Sequence, residues 1–222
     1  MANFTQNVQH TISVSSSDVY LDGLLYIPTN AIGLVLFVHG SGSGRFSKRN
    51  QYVANALNKA NIATLLFDLL TPDEDLIDQH TGEFRFDIGF LASRLIDITQ
   101  WCLKQHDISD LSLGYFGAST GGGAALVAAA KAAALIKAIV SRGGRPDLAG
   151  DSLALVKAPT LLIVGGQDEI VIEMNQTAMT KMNCPVTLEI VPGATHLFEE
   201  PGTLVEVARL AITWFTTYLN AP

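Results

Sequence analysis

Short apolar runs recur along the chain, separated by longer segments of mixed polarity. Residues 12–16 and 19–27 come first, on either side of Ser17 and Asp18, and predict an antiparallel hairpin. The later runs are apolar at consecutive positions, which is typical of strands buried on both faces. They cover residues 34–38, 64–67, 111–116, 138–140, 160–164 and 186–191.

The segments between these runs are amphipathic or rich in alanine and predict helices. They cover residues 50–60, 86–106, 121–135, 172–182 and 203–218. Strands that alternate with helices predict an α/β fold, in which a mainly parallel sheet is flanked by helices. Because ligands bind beyond the carboxyl ends of such strands, we expect the functional residues in the loops that follow strands.

Composition narrows the possible classes of function. The chain has 222 residues, of which 48% are hydrophobic and 16% charged, and no linker or internal repeat divides it. These features predict a single domain over residues 1–222. The net charge of −7 argues against nucleic acid as a partner.

Neither the apolar runs nor the cysteines indicate a membrane or secreted protein. The longest apolar run, 124–140, is interrupted by Lys131 and Lys137, whereas a membrane span needs about 20 apolar residues. The polar N-terminus lacks a signal-peptide pattern, and Cys102 and Cys184 form no CxxC or paired motif. We therefore expect a cytoplasmic protein without a membrane partner.

The strongest chemical signal is the sequence Gly-Ala-Ser-Thr-Gly at positions 117–121. It directly follows a predicted strand and precedes an alanine-rich helix, which is the context of a nucleophile elbow. The glycines two positions before and after Ser119 suit a sharp turn that crowds the backbone. Ser119 is therefore the candidate nucleophile.

A nucleophilic serine needs a base and an orienting carboxylate from elsewhere in the chain. Asp168 follows the strand at 160–164, and His196 follows the strand at 186–191. The loops after three strands thus supply Ser119, Asp168 and His196 in the expected chain order. Glu169, Glu199 and Glu200, which lie near the same loops, are alternative acids.

The segment His-Gly-Ser-Gly-Ser-Gly at positions 39–44 follows the first buried strand. In acyl transfer, backbone N–H groups stabilise the oxyanion that develops on the substrate carbonyl. We assign the N–H groups of Ser41 and Thr120 to this role. His39 is expected to brace the loop, and Asp68 is expected to form hydrogen bonds within the loop network.

With these motifs the sequence resembles the α/β-hydrolases, and among them the dienelactone-hydrolase-like branch. The resemblance runs from about residue 34 to residue 210 through HGSGSGRFSKRN, TLLFDLL, GYFGASTGG, SRGGRPDLAG, LLIVGGQD and VPGATHLFEEPG. It implies an eight-stranded sheet with an antiparallel second strand and hydrolysis of an ester or related acyl bond without cofactor or metal. Dienelactone hydrolases proper carry a cysteine nucleophile, whereas position 119 here is serine.

Two other functions are compatible with the sequence. The glycine-rich loop at 40–44 followed by Asp68 partly imitates the NAD(P) site of a Rossmann-type oxidoreductase, although Arg45 stands where the third glycine belongs. A non-catalytic ligand receptor on a hydrolase fold would keep the pocket without turnover. Our expected function is a serine hydrolase that cleaves a small carboxylic ester, lactone or thioester.

The loops also suggest how substrates are selected. Only residues 141–159 separate two predicted strands where larger α/β-hydrolases carry a lid, so we expect a minimal lid or none. A loop at 71–85 is expected to narrow the pocket with an apolar wall made of Leu76, Ile77, Phe84 and Phe86. Arg142 follows a strand next to that of Ser119. It either binds a substrate carboxylate or braces loops by pairing with an acidic neighbour such as Asp147 or Asp168.

Overall fold

The computed structural model describes residues 3–220 and contains an eight-stranded sheet with helices on both faces. The strands are β1 (Gln9–Ser16), β2 (Val19–Tyr26), β3 (Leu34–Val38), β4 (Ala63–Phe67), β5 (Leu113–Ala118), β6 (Ile136–Arg142), β7 (Thr160–Gly165) and β8 (Val186–Val191). The helices are α1 (Lys48–Lys59), α2 (Pro72–Thr81), α3 (Ile88–Cys102), α4 (Thr120–Lys131), α5 (Glu169–Met179) and α6 (Thr203–Leu219). A 3-10 segment, Pro146–Leu155, lies between β6 and β7.

The strand order is β1-β2-β4-β3-β5-β6-β7-β8. Strand β2 pairs antiparallel with both β1 and β4, and the other pairings are parallel. The predicted hairpin is confirmed, with Ser16 opposite Val19 and Ser17 in the turn at φ 51°. The expected α/β fold and its antiparallel second strand are confirmed as well.

Each face of the sheet is covered by its own apolar core. Helices α3, α4 and α5 contribute to the core on one face, which includes Leu95, Leu126 and Ala178. Helices α1 and α6 contribute to the other core, which includes Leu57 and Phe215.

The central strands β3, β4, β5 and β7 are buried at every position, and β6 is buried at every position except Lys137, which agrees with their runs of apolar residues. The expectation of burial on both faces is wrong for β8, because this strand forms an edge of the sheet and its residues are exposed or half-buried apart from Val191.

Helix α2 corrects the expectation of a loop at 71–85. Its start is defined by a reciprocal cap: the Glu74 N–H donates to Thr71 Oγ1, and the Thr71 N–H donates to the Glu74 carboxylate. Its end is Gly82, which has the left-handed conformation at φ 69°. The segment is too polar for apolar periodicity to reveal a helix, although Thr71, Pro72 and Glu74 carry the signal of a helix start.

The connection between β6 and β7 contains the 3-10 segment, which packs against α4 and α5. It forms no separate lid, in agreement with its shortness in the sequence. Within residues 3–220, none of the helices combines the length and the apolar character that crossing a membrane requires.

Candidate active site

Ser119 lies in the sharp turn between β5 and α4. Its backbone torsion angles are φ 51° and ψ −123°, a region that residues with a side chain rarely occupy. A Cβ added to Gly117 would lie 2.6 Å from the Cα of Gly122, and one added to Gly121 would lie 2.2 Å from the carbonyl oxygen of Val38. The turn therefore requires glycine at both positions, as the sequence motif predicts.

Hydrogen bonds fix the backbone of Ser119 through both its N–H group and its carbonyl group. Its N–H donates to the carbonyl of Arg142 at 3.2 Å, at the end of the neighbouring strand β6. Its carbonyl accepts the N–H groups of Gly122 and Arg145, each at 3.0 Å. These bonds fix the strained residue, so that the turn keeps its shape without help from a ligand.

Asp168 and His196 are in direct contact. Asp168 follows β7, His196 follows β8, and the distance between His196 Nδ1 and Asp168 Oδ2 is 2.6 Å. A Cβ added to Gly143, the residue after Arg142, would lie 3.5 Å from His196 Nδ1. The imidazole therefore lies beside the same end of β6 that binds Ser119.

In residues 3–220 no hydrogen bond joins Ser119 Oγ to the imidazole of His196. In enzymes without substrate, the bond between the nucleophile and its base is often long.

Two of the other carboxylates near the site have partners of their own, and the third is exposed. Glu199 pairs with Arg49 at 3.0 Å, and Glu200 accepts the Thr195 hydroxyl at 2.6 Å. Glu169 is exposed in the first turn of α5. Of the acids that the sequence analysis considers, Asp168 is the one in contact with the imidazole.

Ser41 and Thr120, the residues assigned to the oxyanion site, are also brought together. The Ser41 N–H donates to Thr120 Oγ1 at 3.1 Å. A Cβ added to Gly40 would lie 2.9 Å from Ser119 Cβ, so the loop after β3 passes close to the candidate nucleophile. The Thr120 hydroxyl therefore accepts the Ser41 N–H, a contact that the sequence motifs did not predict.

His39 links two loops at the sheet edge. The Leu69 N–H donates to His39 Nε2 at 2.9 Å, and His39 Nδ1 lies 2.9 Å from the Gly40 carbonyl. Nε2 must therefore be unprotonated, and Nδ1 must carry the proton. Burial lowers the pKa of His39, in keeping with a neutral imidazole. The contacts agree with the expected bracing role.

Asp68 is engaged by Arg45. Its carboxylate accepts the Arg45 N–H at 2.6 Å and forms an ion pair with the Arg45 guanidinium, which also reaches Asp22 at 3.2 Å. An NAD(P) site would need this carboxylate for a ribose hydroxyl. The pairing instead agrees with the expected structural role of Asp68.

A cleft of about 610 Å³ opens beside Ser41 and Thr120. It is bounded by the loop after β3, the loop after β4 and the start of α1; its apolar lining consists of Phe46, Leu69, Leu70, Pro72 and Leu91. The expected wall of Leu76, Ile77, Phe84 and Phe86 is wrong, because none of these lines the cleft and formation of α2 leaves Leu76 and Ile77 exposed. Asp78 and Arg85, an ion pair at 2.6 Å, line part of the cleft in their place.

The architecture agrees with comparisons to known proteins. Residues 47–216 match the model of the Dienelactone hydrolase family. The chain belongs to this family. This match confirms the resemblance to the dienelactone-hydrolase-like branch that the sequence motifs indicated.

Individual relatives differ in length and in name. The crystal structure of a dienelactone hydrolase from Anabaena variabilis is 56% identical, covers 97% of this chain and 100% of its own, and superposes with a TM-score of 0.94. A Mycobacterium tuberculosis protein named "Putative phosphoribosyl transferase" is 56% identical over 95% of this chain. The chain spans only 47% of that relative's length. A "Putative carboxymethylenebutenolidase" from Aquifex aeolicus is 24% identical over 78% of this chain and 72% of its own.

Arg142 does not pair with either of the acids considered for it. Asp147 is bound by Arg145 at 2.7 Å, and Asp168 is bound by His196. The Arg142 side chain is buried beside Phe198, with its guanidinium carbon 5.8 Å from the ring centre. The interpretation of Arg142 as a brace that pairs with one of these two carboxylates is therefore wrong.

The next feature is the arrangement of side chains that could bind a metal ion. Within residues 3–220, no group of three or more histidine, cysteine, aspartate or glutamate side chains is arranged to hold a metal ion. The polar groups near Ser119 are instead hydroxyls, backbone N–H groups and the Asp168–His196 pair. This set is suited to acid–base and nucleophilic chemistry.

Proposed function

We propose that this chain is a serine hydrolase that cleaves a small carboxylic ester, or a lactone or thioester, through an acyl-enzyme. The observation that carries the proposal is the 2.6 Å contact between Asp168 and His196 beside the strained turn of Ser119. An elbow, a base and an orienting acid at one sheet edge are the parts that acyl transfer by a serine needs.

In the proposed reaction, Asp168 accepts the Nδ1–H of His196 and leaves Nε2 free to act as a base. His196 removes the proton of Ser119 as Oγ attacks the substrate carbonyl. The proton then passes to the leaving alcohol as the ester bond breaks and the acyl-enzyme forms. Water, activated by the same imidazole, cleaves the acyl-enzyme and regenerates Ser119.

The N–H groups of Ser41 and Thr120 would bind the oxyanion in both steps. Thr120 lies at the N-terminus of α4, where the helix dipole favours negative charge. Because the Thr120 hydroxyl accepts the Ser41 N–H, substrate binding must displace this hydroxyl before the second donor is available. Removing one oxyanion donor typically costs about 10²- to 10³-fold in kcat.

A panel of p-nitrophenyl esters, thioesters and lactones tests the proposal. Ser119→Ala should lose turnover of whichever class the parent cleaves, whereas Ser93→Ala, an exposed serine of α3, should match the parent. If the parent cleaves no member of the panel but binds it, the chain is a ligand receptor on this fold. If NAD or NADP raises the melting temperature instead, the oxidoreductase interpretation gains support.

A further inference from the structure

A second concave surface, separate from the cleft, lies between helix α1 and the hairpin of β1 and β2. It consists of two adjoining cavities of about 580 and 280 Å³, which share Tyr26, Asn55 and Asn58. None of the residues that line them lines the cleft beside Ser41 and Thr120. The two cavities therefore form one groove that is distinct from the proposed reaction centre.

The floor of the groove is one face of the sheet. In β1 exposed and buried positions alternate, so Gln9 lies on the exposed face of the hairpin. The strand register aligns Gln9 with Tyr26 and Tyr26 with Thr64 in one row. Two residues further along these strands, Leu24 is aligned with Leu66, and both leucines line the smaller cavity. The floor thus combines an aromatic ring and two leucines with polar side chains.

The wall of the groove is a stripe of amide side chains on α1. Gln51, Asn55 and Asn58 follow one another at intervals of four and three residues, so they share one face of the helix. With a rise of 1.5 Å per residue, the stripe extends about 10 Å along the groove. Asn58 Oδ1 accepts the Thr64 hydroxyl at 3.0 Å, which orients the amide and leaves Nδ2 as a donor. Asn55 is exposed and offers both donors and an acceptor.

The lining of the groove is rich in amides and poor in charge. Six of its 14 lining residues are asparagine or glutamine, compared with 18 of the 222 residues of the chain. The six are Asn7, Gln9, Gln51, Asn55, Asn58 and Asn61. Among the described residues that line the groove, only Lys59 is charged. An anion would lack the cations that it needs here, and a cation would lack carboxylates, so the lining favours an uncharged ligand.

We propose that this groove binds a short, uncharged oligosaccharide, with sugar hydroxyls on the amides of α1 and the face of a sugar ring on Tyr26. An amide and a sugar hydroxyl each provide a donor and an acceptor, so the two groups pair in either direction. The apolar face of a sugar ring suits the floor of Tyr26, Leu24 and Leu66. The binding site does not depend on the proposed hydrolase function.

Other macromolecules match the groove less well. Nucleic acid would need positive charge, whereas the groove contains Lys59 alone among its described residues and the chain has a net charge of −7. An extended peptide typically pairs with the edge of a strand, and a helical peptide needs an apolar groove. The amides here project from a helix over the face of the sheet.

Titration of the isotope-labelled full chain with cellohexaose, xylohexaose, maltohexaose and chitohexaose tests the proposal. Two-dimensional NMR follows the side-chain amide signals, of which Gln9→Ala and Asn55→Ala assign two. We expect at least one saccharide to shift these signals in a saturable way. Each of the two variants should weaken binding of that saccharide by about 3- to 10-fold, the loss of one hydrogen bond. Gln176→Ala, which removes an exposed amide from α5, is the matched control and should bind like the parent.

Three results would overturn the proposal. The first is the absence of a saturable shift with all four saccharides. The second is binding that the Gln9→Ala, Asn55→Ala double variant leaves unchanged. The third is a blocked, neutral Gly-Ser-Gln-Gly-Ser-Gln peptide that shifts the same signals when no saccharide does, because the groove would then be a peptide site.

Kinetic measurements separate the groove from the hydrolase function. Ser119→Ala should bind the saccharide like the parent, and the Gln9→Ala, Asn55→Ala double variant should cleave p-nitrophenyl esters at the parent rate. Loss of ester cleavage in a folded double variant would contradict the assignment of the groove as a separate site. If the parent cleaves esters and binds no saccharide, the hydrolase function stands and the saccharide site is wrong.

Discussion

At the residue scale, Ser119 combines an uncommon backbone conformation with a chemically useful side chain. The φ of 51° and ψ of −123° suit glycine better than any residue with a Cβ, so the serine is strained where it stands. Hydrogen bonds from its neighbours hold it there. A strained residue in a well-supported turn is what the proposed nucleophilic role of Ser119 leads us to expect.

The strain gives a stability prediction. Ser119→Gly should be more stable than Ser119→Ala by about 1 kcal/mol, because alanine keeps the Cβ at positive φ and glycine does not. Urea unfolding of both variants measures the difference. An alanine variant at least as stable as the glycine variant would show that the turn is relaxed.

A second prediction at this scale concerns Asp168. Asp168→Asn should lower kcat by up to about 10⁴-fold with little change in KM, because the amide favours the wrong tautomer of His196. Glu199→Gln and Glu200→Gln are the controls, since both acids bind other partners. A larger loss in either control would assign the orienting role to that glutamate.

The ion-pair partners of Arg142 could not be predicted from the sequence. Its position at a strand end could be read from the apolar run before it. Its lack of a partner depends on where Asp147 and Asp168 find theirs, and Arg145 and His196 bind them in the folded protein. Pairing among charges distant in the chain is a property of the fold and leaves no local pattern.

At the scale of elements, consecutive apolar positions predicted the strands β3 to β7, because both faces of these strands are covered, whereas β8 at the sheet edge is largely exposed or half-buried. Helix α2 was not predicted by its apolar pattern, because ion pairs and hydrogen bonds to residues outside the helix stabilise it. Arg94 of α3 donates to the Glu74 carboxylate at 2.6 Å and to the Leu69 carbonyl at 2.6 Å. The Asp78 carboxylate is bonded to Arg85 beyond the helix. An apolar periodicity is unnecessary where ion pairs anchor a helix.

His39, which links the loops after β3 and β4, predicts how the stability of the fold depends on pH. Burial lowers the pKa of His39 below its ordinary value of 6.5, so the unfolded chain takes up the proton first as pH falls. The free energy of unfolding should therefore decrease below about pH 6.5, by at most about 1.4 kcal/mol per pH unit, until the folded protein is protonated too.

Denaturant unfolding at pH 7.0 and 5.5 measures this effect in the parent and in His39→Gln. The variant removes the imidazole, so the free energy of unfolding should vary less with pH in this range than it does in the parent. Equal pH dependence in the two proteins would mean that His39 does not carry the effect.

At the scale of the whole molecule, the sheet brings distant parts of the chain to one edge. The loops after β3, β5, β7 and β8 carry Ser41, Ser119, Asp168 and His196, and the sheet holds their strands in a single ordered array. The sequence predicted this gathering because parallel strands place their carboxyl ends together. It could not predict the cleft, whose walls depend on how α2 folds.

The open architecture predicts a preference for short acyl chains. The β6–β7 connection is packed against α4 and α5 and forms no lid over the cleft, so little apolar surface is available to bury a long chain. Relative kcat/KM values for two- to four-carbon and ten- to twelve-carbon p-nitrophenyl esters measure this preference. Faster cleavage of the long esters would contradict it.

The most direct test of the central claim is detection of a covalent intermediate on Ser119. After brief incubation with a fluorophosphonate or an activated ester, intact-mass measurement and peptide mapping should show one added group, on Ser119, and none in Ser119→Ala. Asp168→Asn should be labelled more slowly than the parent. A parent protein that hydrolyses esters while Ser119 stays unmodified, or a label that persists in Ser119→Ala, would contradict the account.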